Sequence, residues 1–248
     1  MITVKAGNEI KGIVFGYSCH GTVLGGLSIN GDYAGFAQIE LEKLFPGCVA
    51  MFVQNCGGDA KATELAAMYG KILAESVRQV VAGKMIPLRG PLHAVMGETQ
   101  LFLQPSISLE ELKQSLPNLT GMPKREFEHF IRQYETLGSP PDRVRYPIQA
   151  WRFGPELTLI ALTGETVVDY SLKFKAAYGW NTTWVCGYNN DLLSYVPSLR
   201  VLREGGYEGV TGMTEYGHRA PYTESVEAQI TATVDELVKQ ASRIEQPR

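Results

Sequence analysis

No Cys-x-x-Cys pair occurs in this sequence of 248 residues, and its four cysteines, Cys19, Cys48, Cys56 and Cys186, lie far apart. That spacing suits neither a zinc ribbon nor a disulfide framework, so the thiols are expected reduced and mostly buried. Positive charge is not in excess either: 23 Lys and Arg stand against 26 Asp and Glu, a net charge of −3. A nucleic-acid partner is thereby disfavoured, because neutralising a phosphate backbone needs a cationic surface. No run approaches the roughly 20 apolar residues of a transmembrane segment. The opening MITVKAGNEIKG has no apolar stretch of the signal-peptide kind. As written the chain reads as cytoplasmic, although an N-terminal truncation would hide a leader. With four histidines in all, His20, His93, His129 and His218, a metal or acid–base site has few candidates.

What is present is an ordinary globular mixture, 44% apolar and 20% charged, enough for one large domain or two small ones. Ile10 to Tyr17 is an apolar run suited to a buried strand, and it delivers His20 at its end. Beyond the glycine-rich stretch 21–31, Asp32 to Phe45 predicts a short amphipathic helix stopped by Pro46-Gly47. Cys48 to Val53 predicts a second strand, and 62–82 a long helix with Asp59 as N-cap: an α/β unit. Extended structure is expected over 87–104 and helices over 108–116 and 124–136. A hairpin of 146–153 and 157–163 follows, then a helix over 166–177, a strand over 182–187 and a closing helix over 222–244 with Val226, Ile230, Val234, Leu237 and Ala241 on one face. The fold class is α/β, a layered mixed β-sheet flanked by helices, with a helical insertion at about 105–137. No repeat or composition shift divides the chain, so one domain over 1–248 is the economical expectation.

Three features stand out chemically. His20 follows an apolar strand and opens a glycine-rich loop, where α/β sheets place functional groups; a structural histidine is equally common there. Glu165 lies just past the apolar Leu159–Thr163. A buried carboxylate there needs a partner charge, hydrogen bonds or a metal, or else caps the helix that follows. The segment from Cys186 through Asn190, Asp191 and Tyr195 to Tyr207 is dense in tyrosines and amides, either a network holding a loop or a site. His129 reads as part of a solvated helix face, and His93 and His218 as structural. Cys56, in a turn before a helix, is a minor candidate nucleophile with a lowered pKa. Gly57-Gly58-Asp59 is at most a weak anion cradle, without P-loop or GxGxxG spacing.

The stretches FGYSCHGTVLG with INGDYAGFAQ, then AMFVQNCGGDA, LTGETVVDYSLKFK and GYNNDLLSYVPSLRVLREGGYEG, in this order, resemble the N-terminal catalytic domain of the neutral/alkaline non-lysosomal ceramidases. The resemblance covers about residues 10–215 and corresponds to the C-terminal portion of that domain. It implies a Zn²⁺ ion that activates water to attack an N-acyl amide, with ceramide or a related small-molecule or lipid amide as substrate. It implies His20, Glu165 and Tyr195 as metal ligands, Tyr207 beside Tyr195 in catalysis, and substrate contacts at Asp59, Lys61 and Asn190. Nitrogen and oxygen ligands suit zinc, and a phenol can polarise a carbonyl. The family's upstream His-x-His segment is absent from the sequence, and Lys61 stands at the family's serine position. The alternative expectation is therefore a catalytically incomplete domain that binds without turnover. An apolar face left open by an absent segment leads us to expect a homo-oligomer.

Overall fold

The computed structural model describes residues 1–60 and 65–243. Lys61 and the first residues of the helix expected over 62–82 lie outside the described residues, as does the end of the closing helix beyond Arg243.

Strands β1 (Ile2–Ala6), β2 (Glu9–Tyr17) and β3 (Val49–Gln54) form one mixed sheet. β1 folds back antiparallel on β2 through a turn at Gly7, and β2 runs parallel to β3. A parallel pair needs a crossover, which α1 (Asp32–Leu44) supplies. With α2 (Ala66–Ala82) it covers one face, burying Ile13, Phe15, Ala37, Leu41, Ala74 and Val77. Phe36, Ile39, Met68 and Ile72 of the same helices stay exposed, as do Leu27 and Ile29 of the loop that precedes α1.

A second sheet has the order β4 (Leu92–Phe102), β5 (Arg143–Phe153), β6 (Leu157–Thr163) and β8 (Thr183–Asn189). β4, β5 and β6 are antiparallel neighbours, and β8 lies parallel to β6 after the crossover α5 (Val168–Tyr178). The hairpin at 154–156 is as expected. The closing helix, α8 (Val226–Arg243), presents Ile230, Val234, Leu237 and Ala241 to this sheet, where they join Ile148, Ile160, Phe174 and Val185 in the main core. That i, i+4, i+7, i+11 spacing is the stripe one helix face buries.

Two-residue strands β7 (Glu165–Thr166) and β9 (Tyr195–Val196) pair in parallel beside the second sheet. Short helices α6 (Leu199–Glu204) and α7 (Gly206–Gly209) lead into a 3₁₀ segment, Thr211–Tyr216. The helices α3 (Leu109–Ser115) and α4 (Gly121–Leu137) form where helices were expected. Ser108 and Glu111 make a capping box at the start of α3, and Leu112, Phe130 and Ile131 give the pair its own small core.

The two large sheets meet where β3 ends. Asn55 forms a bridge with Cys186, and its Oδ1 accepts from Trp184 Nε1 at 2.7 Å. The carboxyl ends of β2, β3, β6 and β8 thus converge on one place, where open α/β sheets put their ligands. No helix of the described residues is long and apolar enough to cross a membrane.

Candidate functional site

His20 is three residues past β2, and the turn after β3 grips it. Its amide donates to Ala60 O at 2.8 Å, and its Nε2 lies 3.0 Å from Gly58 O. Gly58 N in turn donates to Thr166 O, one residue past Glu165. A Cβ on Gly58 would sit 2.4 Å from Glu165 O, so glycine alone lets the two backbones approach this closely. The glycine pair therefore acts as a bracket between the His20 loop and the Glu165 strand. Asp59, expected to cap the helix over 62–82, accepts instead from Val168 N at 2.9 Å and caps α5. α2 begins at Ala66 with Leu65 at its N-cap, a residue without a side-chain cap bond.

Glu165 leaves β6 through Gly164, whose φ of +74° turns the chain and whose missing Cβ makes room for Ser194 O. Glu165 is buried, with 5% of its surface exposed. Its Oε2 lies 3.5 Å from His20 Nε2 and accepts from Tyr188 OH at 3.0 Å, while its Oε1 accepts from Tyr216 OH. A buried carboxylate is stable when donors fill both oxygens, and here two phenols do so. Burial, and then the Glu165 charge, hold the Tyr188 hydroxyl well above the ordinary phenol range, and burial together with the bond to Glu165 raises Tyr216 likewise. Both phenols stay protonated donors at neutral pH. Tyr188 adopts a φ of +61°, an unfavourable conformation for a large side chain. Its amide bond to Gly164 O and its hydroxyl bond to Glu165 secure it.

Tyr195, on β9, packs its ring edge-on to those of His20, Tyr207 and Tyr216, at centroid distances of 6.2, 5.1 and 6.1 Å. Burial raises its hydroxyl too. Tyr207, on α7, is the open side of this cluster, 41% exposed, with its hydroxyl on Glu215 at 2.8 Å. The structure thus brings His20, Glu165, Tyr195 and Tyr207 together from four separate segments. Asn190 stands at the edge: its Oδ1 accepts from Gln149 at 2.6 Å and its Nδ2 donates to Thr163 Oγ1 at 3.3 Å.

Sequence reading did not single out Tyr188 or Tyr216. Tyr188 lies inside the tyrosine-rich stretch that drew attention, two residues after Cys186. Tyr216 reaches Glu165 across 51 positions and carries no local pattern. The idea of an activated Cys56 is corrected: the thiol is fully buried, and desolvation pushes its pKa up to about 12, the reverse of a reactive cysteine.

The donor chemistry of the cluster suits zinc. His20 Nε2 stands 3.5 Å from Glu165 Oε2, and to ligate an ion it would have to give up its proton and its contact with Gly58 O. Among the described residues, no three His, Cys, Asp or Glu side chains gather as a metal group. The phenol expected as a third ligand, Tyr195, has its ring beside that of His20.

No protein-family model and no curated protein matches the sequence. Two solved structures match the fold. One is the neutral ceramidase from Pseudomonas aeruginosa, at TM-score 0.69 and 21% identity, covering 97% of this chain and 46% of that one. The other is a ceramidase complexed with C2, at TM-score 0.69 and 19% identity, covering 97% of this chain and 47% of that one. The chain has a ceramidase-like α/β fold and spans less than half the length of either structure it matches.

Proposed function

We propose that this chain carries the metal-binding half-site of a neutral-ceramidase-type hydrolase, with Zn²⁺ as cofactor and an N-acyl amide, ceramide or a related lipid amide, as substrate. The supporting observation is Glu165: a buried carboxylate 3.5 Å from an imidazole, with both oxygens held by phenols. Such an arrangement fixes a carboxylate in one orientation without neutralising it, as a metal ligand requires. His20, Glu165 and Tyr195 would hold the ion, which supplies a Lewis acid and a water acidic enough to ionise near neutrality.

The chain's own groups would do the rest. The turn at Gly58 positions the His20 ring, and Tyr188 and Tyr216 keep Glu165 aimed. Tyr207, at the exposed edge of the cluster, is placed to donate to a developing oxyanion once its hydroxyl leaves Glu215. Asp59, bonded to the start of α5, and Asn190, at the rim, are proposed substrate neighbours together with Lys61. The chain is also proposed to self-associate, through the exposed apolar residues of α1 and α2.

A second reading, a binding domain without turnover, is supported by the absence, among the described residues, of a third His, Cys, Asp or Glu beside His20 and Glu165. The two readings separate on one experiment: hydrolysis of ceramide and of simpler N-acyl amides by metal-stripped and zinc-loaded protein, alongside the His20→Ala and Glu165→Ala variants. Zinc-dependent turnover lost in both variants supports the hydrolase. Zinc binding without turnover supports the binding domain, and equal activity in the stripped protein overturns the zinc reading altogether.

A further inference from the structure

β2 and β3 stop pairing at Tyr17 and Gln54, and the chain leaves the sheet through Ser18 and Cys19 before it reaches His20. A carbonyl that leaves a ladder needs a new donor. Cys19 O has two, both from side chains: Tyr33 OH donates at 2.6 Å and Gln54 Nε2 at 2.8 Å. The N–H of the same peptide unit belongs to His20 and donates to Ala60 O at 2.8 Å. The peptide entering His20 is therefore gripped on both edges, and because a peptide is planar the grip fixes the bond from which the histidine Cα departs.

The donors are themselves held. Tyr33 is buried, its ring edge-on to Phe52 and Tyr17 at centroid distances of 5.8 and 6.2 Å. Burial lifts its hydroxyl well above the ordinary phenol range, so it stays a protonated donor. Its amide donates to Asp32 Oδ1 at 2.7 Å, while Asp32 Oδ2 accepts from Leu24 N at 2.8 Å. One buried carboxylate thus closes the glycine-rich loop and seats Tyr33. Asp32 does so at a φ of +51°, which few residues other than glycine adopt. Gln54 is the last residue of β3. Three residues on, a Cβ at Gly57 would lie 2.8 Å from both Ser18 C and Cys19 N, so only glycine lets the turn after β3 pack on the chain just before His20.

We propose that Tyr33 and Gln54 are positioning residues for His20, acting through Cys19 O. The contacts of the ring itself, Nε2 on Gly58 O at 3.0 Å and Nδ1 at 3.4 Å from Tyr188 OH, break when the side chain rotates. The backbone bonds survive that rotation. With them in place the imidazole swings about a fixed pivot, leaving Gly58 O or returning to it without displacing its Cα from Glu165. Without them the pivot moves and every contact of the ring loosens together.

The consequence for zinc rests on the reading of His20 as a ligand, whereas the consequence for the ring does not, so the two are measured apart. Gly58 O can only accept, which places a proton on His20 Nε2. In the metal-free, ¹⁵N-labelled full chain this ring N–H should give a resolved resonance that exchanges slowly with water. Tyr33→Phe keeps the aromatic ring and deletes only the donor; it should speed that exchange about fivefold to tenfold, the worth of one hydrogen bond. Gln54→Met should act in the same direction, and the double variant furthest. Zinc affinity by calorimetry should fall about 10- to 100-fold in the double variant. Ala74→Gly, at a buried position of α2 under the same sheet, lowers stability without touching Cys19 O and should leave both readouts native. Unchanged ring exchange in a folded Tyr33→Phe or Gln54→Met variant overturns the proposal, as does an equal change in Ala74→Gly. A native chain without a slowly exchanging His20 ring proton overturns it too. A native chain that binds no zinc overturns the metal reading alone, and the ring comparison, made without zinc, still decides.

Discussion

Gly58→Ala tests whether the site is assembled by the close approach of two backbones. The added Cβ would lie 2.4 Å from Glu165 O, 3.0 Å from Glu165 C and 3.3 Å from Thr166 O. All three obstacles are backbone atoms, so no side-chain rotation relieves the clash, and the turn must withdraw from β7. Withdrawal lengthens the Gly58 N to Thr166 O bond and drags Gly58 O away from His20 Nε2. Overpacking of this kind costs about 1–3 kcal/mol, and a weakened hydrogen bond about 1 more. The sum, about 2–4 kcal/mol, corresponds to a fall of about 1 M in the urea midpoint for a chain of this size. Gly35→Ala is the control, since that helical glycine has nothing within 4 Å of its would-be Cβ. It should stabilise by about 0.5–1 kcal/mol. If Gly58→Ala unfolds within 0.5 M of the native midpoint, the bracket is wrong.

Other outcomes follow from the same contacts. Tyr216→Phe should destabilise by about 1.5–3 kcal/mol, because it removes the donor to Glu165 Oε1; an unchanged thermal melt would show that the Tyr216 bond contributes nothing to holding Glu165. Cys56, fully buried and raised to about 12, should resist a thiol reagent at pH 8 in the native protein and react in urea, with fast native labelling as the contrary result. The Arg200 guanidinium at 3.0 Å holds Asp169 below the ordinary carboxylate range. Its folded pKa is depressed, so the stabilisation is present above the unfolded value near 3.9 and disappears as pH falls through the folded one. Asp169→Asn should therefore flatten the acid limb of a stability–pH curve below about pH 4, and an unaltered limb would remove the pair from the account.

The elements legible in the sequence are those whose stability comes from a local stripe of apolar residues. β2, α1, β3 and α8 are of this kind, each with an unbroken run or a helical repeat. β1 escaped because its burial is slight and its partner is a hairpin neighbour. β7 and β9 have two residues each and exist only because distant segments pair. Ser198, which caps α6 by accepting from Val201 N, is a local signal that could have announced that helix. Asp59 was legible as a cap, but the helix it caps, α5, lies 109 positions away. In the site, strand ends pointed to His20 and Glu165, and tyrosine density pointed to Tyr195 and Tyr207. The phenols that actually bond Glu165 are set by tertiary packing, so no spacing in the chain announces Tyr216.

Zinc titration by calorimetry on the tag-free, metal-stripped chain bears most directly on the His20–Glu165 cluster. The account predicts one ion per chain at sub-micromolar affinity, lost in Glu165→Ala and weakened in Tyr195→Phe. Heat no greater than that of the Glu165→Ala variant would contradict it, and would leave the cluster as a structural knot of imidazole, carboxylate and phenols.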